Sequence, residues 1–70
     1  MINHIIELHK ELPKGKYVKI ITSNPNYTTK VDRTDVLKAD GDVLRVFRAN
    51  SAQVAINCNF VVMCCIVERL

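Results

Sequence analysis

The sequence predicts a mostly β protein with one short N-terminal helix, its strands strongly bent into a small barrel of roughly five strands. Three observations predict it. Helical periodicity is confined to the first dozen residues. From Lys16 onward, short runs rich in Val, Ile, Thr and Tyr alternate with tight-turn signals. The last run, Phe60 to Val67, is apolar at nearly every position, as a strand covered on both faces would be. An open antiparallel sheet packed on the helix is the alternative architecture.

The helix spans residues 2–12. Ile2, Ile5, Ile6, His9 and Leu12 recur near a 3.6-residue period, Leu8 widens the stripe, and Glu7, Lys10 and Glu11 fall off it. Asn3 is the expected N-cap, because its side-chain oxygen can accept an orphan backbone N–H. Pro13 stops the helix, since it lacks a donor and disfavours the α region in the residue before it. Gly15 then allows the turn.

Lys16 to Thr22 reads as the first strand, with Val18 and Ile20 on one face and Tyr17, Lys19 and Ile21 on the other. Ser23-Asn24-Pro25-Asn26 is a turn. Tyr27 to Lys38 reads as one long, bent strand. Asp40-Gly41 is the strongest hairpin signal in the chain, and Val43 to Arg48 is the return strand. Ala49-Asn50-Ser51-Ala52 turns again. Gln53 to Asn57 is a short strand with Val54 and Ile56 on one face. Cys58-Asn59 breaks the chain before the final strand.

Composition narrows the function. Seventy residues make at most one domain, 1–70, whose core supports little net stability. Yet 49% of the residues are hydrophobic, more than so small a body can bury, so part of the surplus is expected in a subunit interface. The net charge of +3 permits nucleic-acid binding without requiring it. The opening Met1-Ile2-Asn3-His4 lacks the basic and apolar regions of a leader peptide. The Phe60–Val67 run is far short of the ~20 residues that span a bilayer. Three cysteines cannot all pair within one chain, and Cys64-Cys65 lies in an apolar run, so the expected setting is a reducing cytoplasm.

The succession of Val18-Lys19-Ile20-Ile21, Lys30-Val31-Asp32 before the hairpin, Val54-Ala55-Ile56-Asn57 with a short break, and Val61 to Val67 resembles the Sm/Hfq-like form of the SH3-type barrel. The resemblance covers most of the chain and lies in the order of elements. It implies the barrel fold and a tendency to form rings. Two family features are missing: the glycine that bends the second strand has no counterpart in Tyr27 to Val36, and neither an Arg-Gly nor a Lys-His pair stands at Asn57-Cys58-Asn59. No RNA-binding residue is therefore carried over, and fold alone assigns no function.

Catalytic and metal chemistry find little support. His4 and His9 are five residues apart and point from different helix faces, whereas helical ligand pairs need spacings of three or four. Cys58, Cys64 and Cys65 lack knuckle spacing, and Cys64 and Cys65 point to opposite faces of a strand. Asp32 and Asp35 are three apart, but a catalytic pair of acids needs a cleft that separates their pKa values, and Asp40 and Asp42, which flank the hairpin glycine, read as turn formers. The expectation is a non-enzyme with no cofactor and no metal.

Three binding surfaces remain. Lys14, Lys16 and Lys19, with Arg45 and Arg48 on a later strand and Tyr17 as a stacking ring, are candidates for nucleic acid or another anionic ligand. Asn24, Asn26, Tyr27 and Thr28 form a polar recognition loop. Phe60, Val61, Val62, Met63 and Ile66 are candidates for an oligomer interface. The favoured expectation is a small regulatory binding module, a homo-oligomer acting on a protein or small-ligand partner. The alternatives are an Sm-like binder of RNA or single-stranded DNA, and an inhibitor or sequestering protein from a mobile element. No contact with membranes is expected.

Overall fold

A computed structural model describes residues 1–23 and 26–68. In chain order it contains helix α1 (Ile2–Lys10), strands β1 (Lys16–Thr22), β2 (Tyr27–Val31), β3 (Val36–Asp40), β4 (Val43–Phe47) and β5 (Gln53–Asn57), a 3-10 turn (Cys58–Phe60) and β6 (Val61–Glu68). The strands form two open three-stranded antiparallel sheets, ordered β2-β1-β6 and β3-β4-β5. Among the described residues no ladder closes them into a barrel.

The helix is shorter than its periodicity predicts. It ends at Lys10, with Glu11 as C-cap, and Met1 rather than Asn3 is the N-cap, without a side-chain hydrogen bond. Leu12 lies beyond the helix but is buried with Ile5 in the core. The Pro13 carbonyl accepts the Lys16 N–H at 3.2 Å, and Gly15 sits at φ +84°. That geometry is a type II turn, whose third position favours glycine.

The predicted long strand is two strands. Asp32-Arg33-Thr34-Asp35 bonds to itself: the Thr34 N–H and hydroxyl donate to Asp32 Oδ1 at 2.9 and 2.6 Å, and the Asp32 N–H donates to Asp35 Oδ2 at 3.0 Å. Such Asx-type bonding offers the backbone an alternative to the ladder, and here it ends β2 and starts β3.

The hairpin at Gly41 is tight. Gly41 has φ +61° and Asp40 pairs with Val43, so Gly41-Asp42 are the two loop residues, with the positive φ at the first. A type II′ turn requires this. At the β4–β5 loop Ser51 holds φ +72°, and the Asn50 side chain accepts the Ala52 N–H at 3.1 Å.

The core lies between the sheets and under α1. Val18, Ile20, Val31, Leu44, Val46, Ile56 and Cys58 meet Ile5 and Leu12 there. Full burial of each branched aliphatic side chain is worth about 1.5–3 kcal/mol. Arg48 ties the sheets together, donating through Nη1 to the Lys30 carbonyl at 2.6 Å and to Asp35 Oδ2 at 2.8 Å. His9 ties the helix to the same turn, its Nε2 donating to the Asp32 carbonyl at 2.8 Å.

β6 does not alternate regularly. Its register against β1 shifts between Ile21 and Thr22, which pair with Met63 and Val61 and leave Val62 as the extra residue. This bulge puts Val61 on the same side as Cys64 and Ile66, all packed against the core. The even alternation expected of residues 60–67 would have separated Val61 from Ile66 and Cys64. No helix among the described residues is long and apolar enough to cross a membrane.

Candidate functional site

The pairing registers sort the first sheet into two faces. Val18 and Ile20 are opposite Ile66 and Cys64, and they point to the core. Tyr17, Lys19 and Ile21 therefore share the outer face with Val67, Cys65 and Met63 on one side and with Lys30 and Thr28 on the other. This face has an apolar half along β6 and a cationic half along β2. Lys30 Nζ lies 5.2 Å from the centroid of the Tyr17 ring, a cation–π contact.

Three large apolar side chains of the segment around β6 are exposed. Val62 is 62% exposed, Met63 44% and Phe60 46%. Phe60 and Tyr27 line a groove of about 340 Å³ together with Thr22, Thr29, Val54 and Ala55. One wall of that groove is β5. The bonds from Arg48 N–H to the Ala52 carbonyl and from Cys58 N–H to the Asp42 carbonyl bracket the β4–β5 ladder. Alternation then turns the backbone N–H and C=O of Gln53, Ala55 and Asn57 outward, away from β4.

At the other end of β1 a second cleft, of about 430 Å³, lies between the Pro13–Lys16 turn and the Asp32–Asp35 turn. Lys14, Gly15 and Lys16 form one wall, and Asp32, Arg33 and Thr34 the other.

The predicted basic set is thus divided. Lys14 and Lys16 meet in the cleft, while Tyr17 and Lys19 lie on the outer sheet face. Arg45 belongs to the second sheet, where its Nε pairs with Asp40 Oδ2 at 3.3 Å. Arg48 is engaged by Asp35, which is buried. Arg33 and Lys30 complete the two cationic groups and were hidden inside the stretch that reads as one strand. Of the polar loop, Asn24 lies outside the described residues, Asn26 is exposed, and Tyr27 and Thr28 belong to β2. Of the expected interface residues, Phe60, Val62 and Met63 are exposed, whereas Val61 and Ile66 pack against the core.

The thiols are free. Burial pushes the Cys58 thiol pKa up, and burial together with the neighbouring Cys65 pushes up that of Cys64. Both therefore stay protonated and weakly nucleophilic near neutral pH. Among the described residues no three His, Cys, Asp or Glu side chains are placed to hold a metal ion.

Compared with known proteins, the chain matches no family model, no curated protein and no solved structure.

Proposed function

We propose that this chain is a non-enzymatic binding module that works as a homo-oligomer, assembled through the outer face and free edge of β6. The observation that carries the reading is the apolar surface around that strand: Val62, Met63 and Phe60 exposed, with Ile21, Cys65 and Val67 beside them on the sheet face. β6 is an edge strand of eight residues, and among the described residues β1 is its one ladder partner. It carries no proline or lysine to discourage pairing, so its edge is a template for another strand. The aspartates support a non-catalytic reading, because Asp32 and Asp35 are used by their turn, Asp40 by an ion pair with Arg45, and Asp42 accepts from the Asn59 side-chain amide. The partner is a protein or a small ligand, and three free thiols suit a reducing compartment.

The finer fold reading is a small SH3-type barrel of the Sm/Hfq-like form. The helix, the return of β6 to β1 and the short 3-10 turn before β6 agree with it. In that form the bent second strand would correspond to β2 and β3, interrupted by the Asp32–Asp35 turn. Rings are the assembly that the resemblance implies.

Native mass spectrometry of the full chain tests the function. A discrete oligomer without added mass is expected, and a chain that remains monomeric throughout contradicts the reading. A second reading, binding of single-stranded nucleic acid, is favoured by Tyr17, Lys19 and Lys30 sharing one face. It requires added nucleotide mass and an affinity that falls steeply with salt.

A further inference from the structure

We propose that the cleft between the Pro13–Lys16 turn and the Asp32–Asp35 turn binds a phosphate monoester carried by a small molecule, held by Lys14, Lys16 and Arg33. The proposal rests on the binding-module reading and gives its small-ligand branch a chemical class.

Charge is the first argument. Lys14, Lys16 and Arg33 converge on one concavity, and none of them forms an ion pair among the described residues. The acids nearby are otherwise engaged. Asp32 Oδ1 accepts from both the Thr34 N–H and its hydroxyl, and Asp35 is bound by Arg48. Glu68 is opposite Lys16 in the ladder but makes no ion pair with it. Three cations and the one acid lining the cleft leave a net charge of +2 (three minus one). A phosphate monoester near neutral pH carries about −1.5 to −2, which matches.

Rigidity is the second argument. Each wall is fixed by bonds that do not involve the cations. The Pro13–Lys16 turn closes through its own backbone bond, with Gly15 in the left-handed region and open space where its Cβ would stand. The opposite turn is held from the helix by His9 and from the second sheet by Arg48. Walls fixed beforehand reduce the ordering cost of binding.

Size and surroundings decide between a small ligand and a nucleic-acid strand. The cleft is concave and, at about 430 Å³, falls within the range of small-molecule sites. A polynucleotide needs a continuous cationic track. Here Arg45 and Arg48, which would extend one onto the second sheet, are paired with Asp40 and Asp35.

The test is amide chemical-shift titration of the full chain with inorganic phosphate, with adenosine monophosphate, and with a short single-stranded oligonucleotide lacking a terminal phosphate. Saturable shifts at Gly15, Lys16, Arg33 and Thr34 with the first two ligands are expected. Lys14→Ala combined with Arg33→Ala, both at exposed positions, should weaken adenosine monophosphate binding by about tenfold or more with the remaining spectrum unchanged. Three results would overturn the proposal: no saturable shift through the millimolar range, unchanged affinity in the double variant, or an oligonucleotide that binds these amides as tightly as the monophosphate. Sedimentation of the same samples separates the two proposals. An oligomer that ignores phosphate sinks only the cleft, and a monomer that binds it sinks only the self-association.

Discussion

The two sheets have the same size and the same antiparallel order, yet their outer faces differ. On the second sheet Lys38, Arg45 and Ala55 form a row between Val36-Phe47-Gln53 and Asp40-Val43-Asn57, so apolar and polar side chains are interspersed. Its central cation is neutralised by Asp40. On the first sheet Ile21, Met63, Cys65 and Val67 adjoin one another without an intervening charge, and Lys19 and Lys30 gather on the opposite half. Both sheets fill the core with the same kinds of residue, so the difference is not required by folding. A contiguous apolar strip of this kind is what the proposed self-association through the first sheet would use.

The ion pairs sharpen this contrast. Asp35 is buried and is gripped by Arg48 at the junction of the sheets. Asp35→Ala would leave the half-buried guanidinium without its carboxylate and remove the acceptor of the Asp32 N–H. A loss of about 2–4 kcal/mol in urea unfolding is expected, since a buried pair is costly to break from one side. An unchanged midpoint would show that the junction does not hold the sheets together.

The thiols give an intermediate effect with a definite sign. Cys58 and Cys64 have folded pKa values raised by burial. Their contribution is fully present below the unfolded thiol pKa and is lost as pH rises through the folded value. Stability should therefore fall above the ordinary thiol range, and Cys58→Ala should lessen that fall. Urea midpoints of parent and variant at about pH 7 and about pH 10 measure it, and equal alkaline losses would refute the assignment.

Ser51 offers a smaller effect on the second sheet. Its φ of +72° is one that glycine adopts freely. Ser51→Gly should raise the thermal midpoint, by relief worth about 0.5–1 kcal/mol. A lower midpoint would mean that the serine makes up for its backbone elsewhere. Smallest of all is Asp40→Ala, which removes a pair exposed on both sides. A change below about 0.5 kcal/mol is expected, and a loss as large as that at Asp35 would erase the distinction between the two pairs.

Much of the fold is legible in the sequence because its signals are local. The bounds of β1 and β5 follow from alternation between turn residues, and Gly15 and Gly41 occupy the positive-φ positions that their turns demand. Other features are hidden for physical reasons. Asp32-Arg33-Thr34-Asp35 sits among β-favouring residues, and its turn depends on side-chain bonds that propensity does not register. The bulge at Val62 leaves no trace, because both alternating sets of β6 are apolar and either phase looks buried. The use of Arg48 as a clip depends on a partner 13 residues away. Arg33 joins Lys14 and Lys16 only after two distant turns meet.

Self-association through β6 is tested most directly by sedimentation velocity of the parent chain and of Met63→Lys across the micromolar range. Met63 is exposed, so a lysine there should leave the fold intact while placing a charge in the apolar half of the face. The parent should sediment as one discrete oligomer and Met63→Lys as a folded monomer. A parent that stays monomeric at every concentration, or an oligomer indifferent to the lysine, would contradict assembly through this strand.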